Sequence, residues 1–151
     1  MASGSIGGSR WSLPTQTLVR AVIDGAARGT QRLILEAQIE VKKNLSHAGS
    51  GRKHPGLRYT SSAPGQPPAV QTGTLRRSWQ TGTVRKVAAG MRLGWRLGSN
   101  LRYARRLEFG GGFIAPRPYL RPALDRIRPR VDRVMKAYIG QALRRATGAI
   151  R

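Results

Sequence analysis

Cysteine is absent from the 151 residues, so no disulfide and no thiolate metal site can form. That absence also leaves the redox compartment open, because cysteine usage is what would report it. No apolar run approaches the ~20 residues that a membrane-crossing helix needs. The opening residues, Met1-Ala2-Ser3-Gly4-Ser5-Ile6-Gly7-Gly8-Ser9, have neither the basic start nor the apolar core of a signal peptide. Synthesis in the cytoplasm without membrane association is therefore expected. Acidic residues are scarce, 6 against 28 Lys+Arg, and there are only 2 histidines.

These shortages leave catalysis little to work with. His47 and His54 lie in a Pro/Gly-rich stretch with no cysteine and no acidic cluster beside them, and read as solvated loop histidines. Glu36 and Glu40 stand one helical turn apart, a general acid/base spacing in principle. Arg32 and Lys43 are placed to pair with them on a wet helix face instead. Ser78 has no base near it in sequence, and Gly110-Gly111-Gly112 is followed by no Gly-Lys-Ser/Thr, so it is not a phosphate loop. No catalytic residue, metal or cofactor is expected, and the chain does not read as an enzyme.

Positive charge is what the chain has in excess. The formal net charge is +22 and the sequence pI about 12.0. Such a chain repels its own copies unless something anionic neutralises it, nucleic acid first and an acidic protein second. Arginine supplies most of the charge, with lysine confined to Lys42, Lys43, Lys53, Lys86 and Lys136. The planar guanidinium suits phosphate and carboxylate pairing, although GC-rich coding also enriches arginine.

The length fits one domain, 13–151, behind a small polar arm, 1–12. From Pro14 to Leu45 the positions Val19, Val22, Ala26, Thr30, Leu33, Ala37, Val41 and Leu45 recur at three- and four-residue steps and predict a long amphipathic helix. Gly25 and Gly29 weaken it by roughly 1 kcal/mol each unless another backbone packs closely there. The Pro/Gly-rich stretch 46–71 is too long for an ordinary connection and reads as an extended loop that is functional, partner-ordered or disordered, with Ala48–Val70 expected to be ordered chiefly by contact with another chain. Thr72–Trp79 predicts a short helical turn, and strands follow at Gln80–Ala88 and Met91–Gly98. In the second strand Met91, Leu93, Trp95 and Leu97 alternate with Arg92, Gly94, Arg96 and Gly98, giving one apolar and one basic face. A last helix runs from Leu120 to Ala146 with a stripe of Leu120, Leu124, Ile127, Val131, Val134, Tyr138, Ala142 and Ala146, kinked at Pro129. The expected fold class is α+β, with the long N-terminal helix and the kinked C-terminal helix on a small antiparallel sheet.

The stretch Leu97–Leu124 sits at the centre of this plan. It contains Tyr103-Ala104, Glu108-Phe109-Gly110 ahead of the remaining glycines, and Arg117-Pro118-Tyr119-Leu120-Arg121-Pro122-Ala123. The glycines read as a hinge and the prolines as a stiff rod that feeds the last helix. Upstream lie Ser62-Ala63-Pro64-Gly65-Gln66-Pro67-Pro68-Ala69-Val70 and Thr72-Gly73-Thr74-Leu75-Arg76-Arg77-Ser78. In this order and spacing the motifs resemble the head–tail joining proteins of tailed bacteriophages, also called neck, connector or tail-completion proteins. The likeness covers the middle and later chain, and the abundance of arginine departs from the family pattern.

The resemblance implies a structural protein of the virion neck, joining or completing the head–tail interface as a ring around the DNA channel. It implies a homo-oligomer, six-fold to match a tail or twelve-fold to match a portal, with portal-adaptor, other neck and tail proteins as neighbours. Candidate subunit or partner contacts are Trp79, Tyr103, Glu108, Phe109, Arg117, Tyr119 and Arg121, since aromatics and arginine are enriched at interfaces. Glu108 has two readings, a bridge to an arginine of the next subunit or a local pair with Arg102, Arg105 or Arg106. For Trp95, core packing is the better reading. Arg52, Lys53, Arg58, Arg85, Arg92 and Arg96 are the candidates to face genomic DNA, holding it without reading sequence. The alternative function is a free-standing basic nucleic-acid-binding protein.

Overall fold

The computed structural model describes residues 15–56, 59–84 and 94–148. The fold is α+β. Helix α1 spans Thr15–Asn44 and α2 Thr74–Ser78; strands β1, Gln80–Val84, and β2, Gly94–Gly98, form an antiparallel pair. Helix α3, Arg102–Phe109, and α4, Leu120–Ile127, follow, and a 3-10 turn at Arg128–Arg130 joins α4 to α5, Val131–Gly148. Helix α1 is the spine: α5, α4 and both strands pack along it.

Helix α1 runs uninterrupted because proline is absent from it, and Lys42 and Lys43 in its last turn suit the negative end of its dipole. Its buried positions are Ala21, Gly25, Gly29, Leu33, Ala37, Val41 and Asn44. The lower half of the expected stripe is thus corrected: Val19 and Val22 are exposed, and small residues take the inward face. Close helix approach is the physical reason. A Cβ added at Gly25 would lie 2.7 Å from the Cα of Ile139, and one at Gly29 would lie 2.9 Å from the Sδ of Met135.

The C-terminal helix bends where expected. Pro129 lacks an N–H, the backbone tightens into the 3-10 turn, and α5 resumes at Val131. Its stripe is also rotated from expectation. Ala123 and Ile127 are buried, whereas Leu124 and Val131 are exposed.

Two apolar clusters meet under the sheet. Leu33, Ala37 and Ile127 form one, with Val134 and Met135 against them. Val41, Leu45, Trp79, Tyr119 and Ala123 form the other. Leu97 packs on both, while Arg96 beside it is exposed, so the apolar/basic alternation holds through β2. Trp95 is half-buried.

Over its described residues the 46–71 stretch makes backbone hydrogen bonds within the chain. Gly51 N donates to Ser61 O at 2.8 Å, Ser61 N to Arg52 O at 3.0 Å, and Val70 N to His47 O at 3.0 Å. Ser62 and Pro68 are buried beneath it. These bonds satisfy backbone groups that a core-less loop would leave to water. The triple glycine is not an open hinge. Gly111 and Ile114 exchange backbone bonds of 3.1 and 3.2 Å, closing a tight turn in which Gly110, Gly111 and Gly112 all have positive φ.

Candidate interaction site

Helix α4 has no acidic residue in its first turn and no cap from its own N-cap residue, Tyr119. The missing acceptor comes from α3. Glu108 Oε2 accepts from Tyr119 N at 2.8 Å and Leu120 N at 2.9 Å, and Oε1 accepts from Arg121 N at 2.9 Å. The fourth residue of that end is Pro122, which has no N–H to satisfy. One carboxylate therefore closes the whole N-terminus of α4 and places negative charge at its positive end. Gly110 lets α3 stop directly after Phe109, with φ 76°. Arg117 N donates to Leu107 O at 2.7 Å and keeps the proline-bounded return alongside α3.

Tyr119 is the centre of this knot, 1% exposed. Its hydroxyl donates to Ala104 O at 3.0 Å, and its carbonyl accepts from Asn44 Nδ2 at 2.7 Å. The Trp79 ring stands edge-on to it, centroids 5.6 Å apart. Arg126 Nη1 in turn donates to Asn44 Oδ1 at 2.9 Å and to Glu40 Oε2 at 3.1 Å, tying α4 to α1. Burial, then the nearby charge of Glu108, then Tyr103, push the Tyr119 phenol well above its usual range, so it stays a donor. Glu40 is held below the ordinary carboxylate range, chiefly by its bond from Lys43, against desolvation, with Arg126 adding to the effect.

Beside the knot lies a cleft of about 260 Å³ between the 61–76 segment and α3, bordered by Leu45, Ser62, Val70, Leu75, Tyr103 and Arg117. No acidic residue lines it. Arg117 also borders a neighbouring depression with His54 and Tyr59.

The expected contact residues divide sharply. Glu108, Tyr119 and Trp79 are buried within the chain, so none of them presents a side chain to a partner. Both sequence readings of Glu108 are corrected: it neither faces outward nor pairs with Arg102, Arg105 or Arg106, because the open end of α4 competes for it. Phe109 is 73% exposed; Tyr103 and Arg121 are exposed, and Arg117 is half-buried. Of the DNA-facing candidates, Arg52, Lys53 and Arg96 are exposed, while Arg58, Arg85 and Arg92 lie outside the described residues. Glu36 and Glu40 pair with Arg32 and Lys43 at 2.8 Å each, the wet-face pairing expected of them.

No family model, curated protein or solved structure matches this chain. Function therefore rests on the site itself. Among the described residues no group of His, Cys, Asp and Glu could hold a metal ion, and no helix is long and apolar enough to cross a membrane.

Sequence reasoning missed Asn44 and Phe113, and read Ser62 only as part of a motif stretch. Asn44 carried a signal, a polar residue continuing the apolar step of α1. Phe113 carried one too, an aromatic set at a glycine turn, where it is fully exposed with Ile114 half-open beside it. Ser62 looks like any loop serine until the loop is folded.

Proposed function

We propose that this chain is a structural protein of a tailed-phage neck, assembled in the virion as a ring that joins or completes the head–tail interface around the DNA channel. The observation that carries this reading is the convergence of the motif stretches. Gly65 N donates to Pro116 O at 3.0 Å, Ser62 and Arg117 border one cleft, and Trp79 packs on Tyr119. The residues responsible for the resemblance are thus the ones that build a single structural unit. Phe109 at the end of α3 and Phe113 in the glycine turn, both exposed, are suited to be one of the two different patches that a closed ring requires. Exposed Arg52, Lys53 and Arg96 are suited to hold DNA through its phosphates. Six-fold symmetry fits a tail and twelve-fold a portal.

The net charge of +22 also favours a second reading, a free-standing nucleic-acid-binding protein made and used in the cytoplasm. Sedimentation of the purified chain across a salt series, with and without duplex DNA, separates the two. Discrete closed oligomers that bind DNA weakly, and electron microscopy that finds the chain in the neck of particles, are expected. A monomer with tight, salt-sensitive DNA affinity, missing from particles, would favour the second reading.

A further inference from the structure

Among the described residues, two polar atoms at the cleft beside α3 have no hydrogen-bond partner. Ser62 is 3% exposed and its Oγ is buried without a hydrogen bond; the Nε of Arg117 is buried without one as well. Among the described residues Arg117 has no carboxylate within ion-pair distance. A buried guanidinium Nε and a buried hydroxyl without partners are costly, and such a pair calls for a water, an ion or a ligand group to complete it. The acids in reach of a basic side chain are already engaged: Glu36 and Glu40 with Arg32, Lys43, Arg126 and Arg130, and Asp125 with Arg128. Glu108 is held by the end of α4. Arg76, on the same cleft, adds a second positive charge.

We propose that this cleft binds a carboxylate side chain presented by an extended, aliphatic-flanked segment of another protein. Arg117 turns its fork to take the two oxygens, with Ser62 Oγ donating from beneath and Arg76 contributing at the rim. Leu45, Val70, Leu75 and Tyr103 cover the flanking aliphatic groups. The lining is mixed, with Ser61, Gln71, Thr72 and Thr74 beside Leu45, Val70, Leu75 and Leu107, and its aliphatic share favours a peptide over nucleic acid, since a phosphodiester backbone gains nothing from leucine and valine. The volume of about 260 Å³ holds a side chain and its immediate neighbours rather than a folded surface. Neither a ring nor DNA is required for the cleft to act this way.

The test uses the full chain labelled with ¹⁵N and three probes: acetyl-Leu-Glu-Leu-amide, its Gln analogue, and an eight-nucleotide oligothymidylate. The Glu peptide is expected to shift the Arg117 Nε and Ser62 amide signals. The Gln peptide should bind at least about tenfold more weakly, the loss of one charge-assisted pair. Ser62→Ala and Arg76→Gln, checked for an unchanged amide spectrum elsewhere, should each weaken the Glu peptide without affecting its weaker analogue. Equal binding of the Glu and Gln peptides, no shift at Arg117 and Ser62 with either, or displacement of the peptide by the oligothymidylate through the same signals would each overturn the proposal.

Discussion

Gly25 of α1 lies directly on the backbone of Ile139 in α5, so close that an added Cβ would sit 2.7 Å from the Ile139 Cα and 2.9 Å from the Tyr138 carbonyl oxygen. Backbone cannot move aside as a flexible side chain can. Alanine improves helix propensity by about 1 kcal/mol over glycine, but overpacking typically costs about 1–3 kcal/mol. Gly25→Ala is therefore expected to lower stability by about 1 kcal/mol or more. Gly140 of α5 is the control, because its Cβ would meet only the end of Arg144 at 3.4 Å. Gly140→Ala should raise stability by about 0.5–1 kcal/mol. Urea melts of the two variants check both signs.

Glu108 answers three backbone donors at once. Glu108→Ala should cost about 3 kcal/mol, given about 1–3 kcal/mol for each buried donor left unpaired and partial rescue by water. Glu108→Gln keeps an oxygen acceptor but turns an NH₂ toward donors, and should fall between wild type and Ala. Hydrogen exchange at Tyr119, Leu120 and Arg121 locates the loss: faster exchange there, with α5 unaffected, is the expected pattern. Unchanged protection at those three amides would mean that the cap is not held in solution.

The Tyr119 phenol has a folded-state pKa raised above its ordinary value of 10.0 by burial. A raised pKa means that the folded state holds the proton more tightly, so this contribution is fully present below pH about 10 and is lost as pH rises beyond it. Stability should therefore fall on the alkaline side above pH about 10. Tyr119→Phe keeps the contact with Trp79 but loses the bond to Ala104 O, costing about 1 kcal/mol at pH 7. Its alkaline decline should be shallower than that of the wild type, as thermal melts between pH 8 and 11 would register.

Phe109 and Phe113 carry no core packing, so Phe109→Ser and Phe113→Ser should each change stability by no more than about 0.5 kcal/mol. Their effect is expected in assembly. If the chain assembles as proposed, sedimentation should show weakened assembly with a normal thermal melt. An oligomer unchanged in the double variant would move the contact surface elsewhere.

Local patterns were enough to read the elements themselves. The run from Pro14 to Leu45 predicts α1, observed at Thr15–Asn44, because a three-to-four-residue apolar step is a property of neighbouring residues alone. Pro129 announces the break between α4 and α5 because a missing N–H acts where it stands. Alternation around Trp95 and Leu97 likewise reports the strand and its inward face.

What the tertiary structure decided is which side of each helix turns inward and where the lone charges go. Hydrophobicity favours Val19, Val22 and Leu124 for the core, yet Gly25, Gly29 and Ala123 are buried, since only small residues let α1, α4 and α5 approach so closely. Glu108 follows the same rule. Its sequence neighbours are arginines, but three unpaired N–H groups and a helix dipole outcompete exposed ion pairs once folding brings α4 across from α3. That competition is between groups eleven to thirteen residues apart, and only the folded chain places them together.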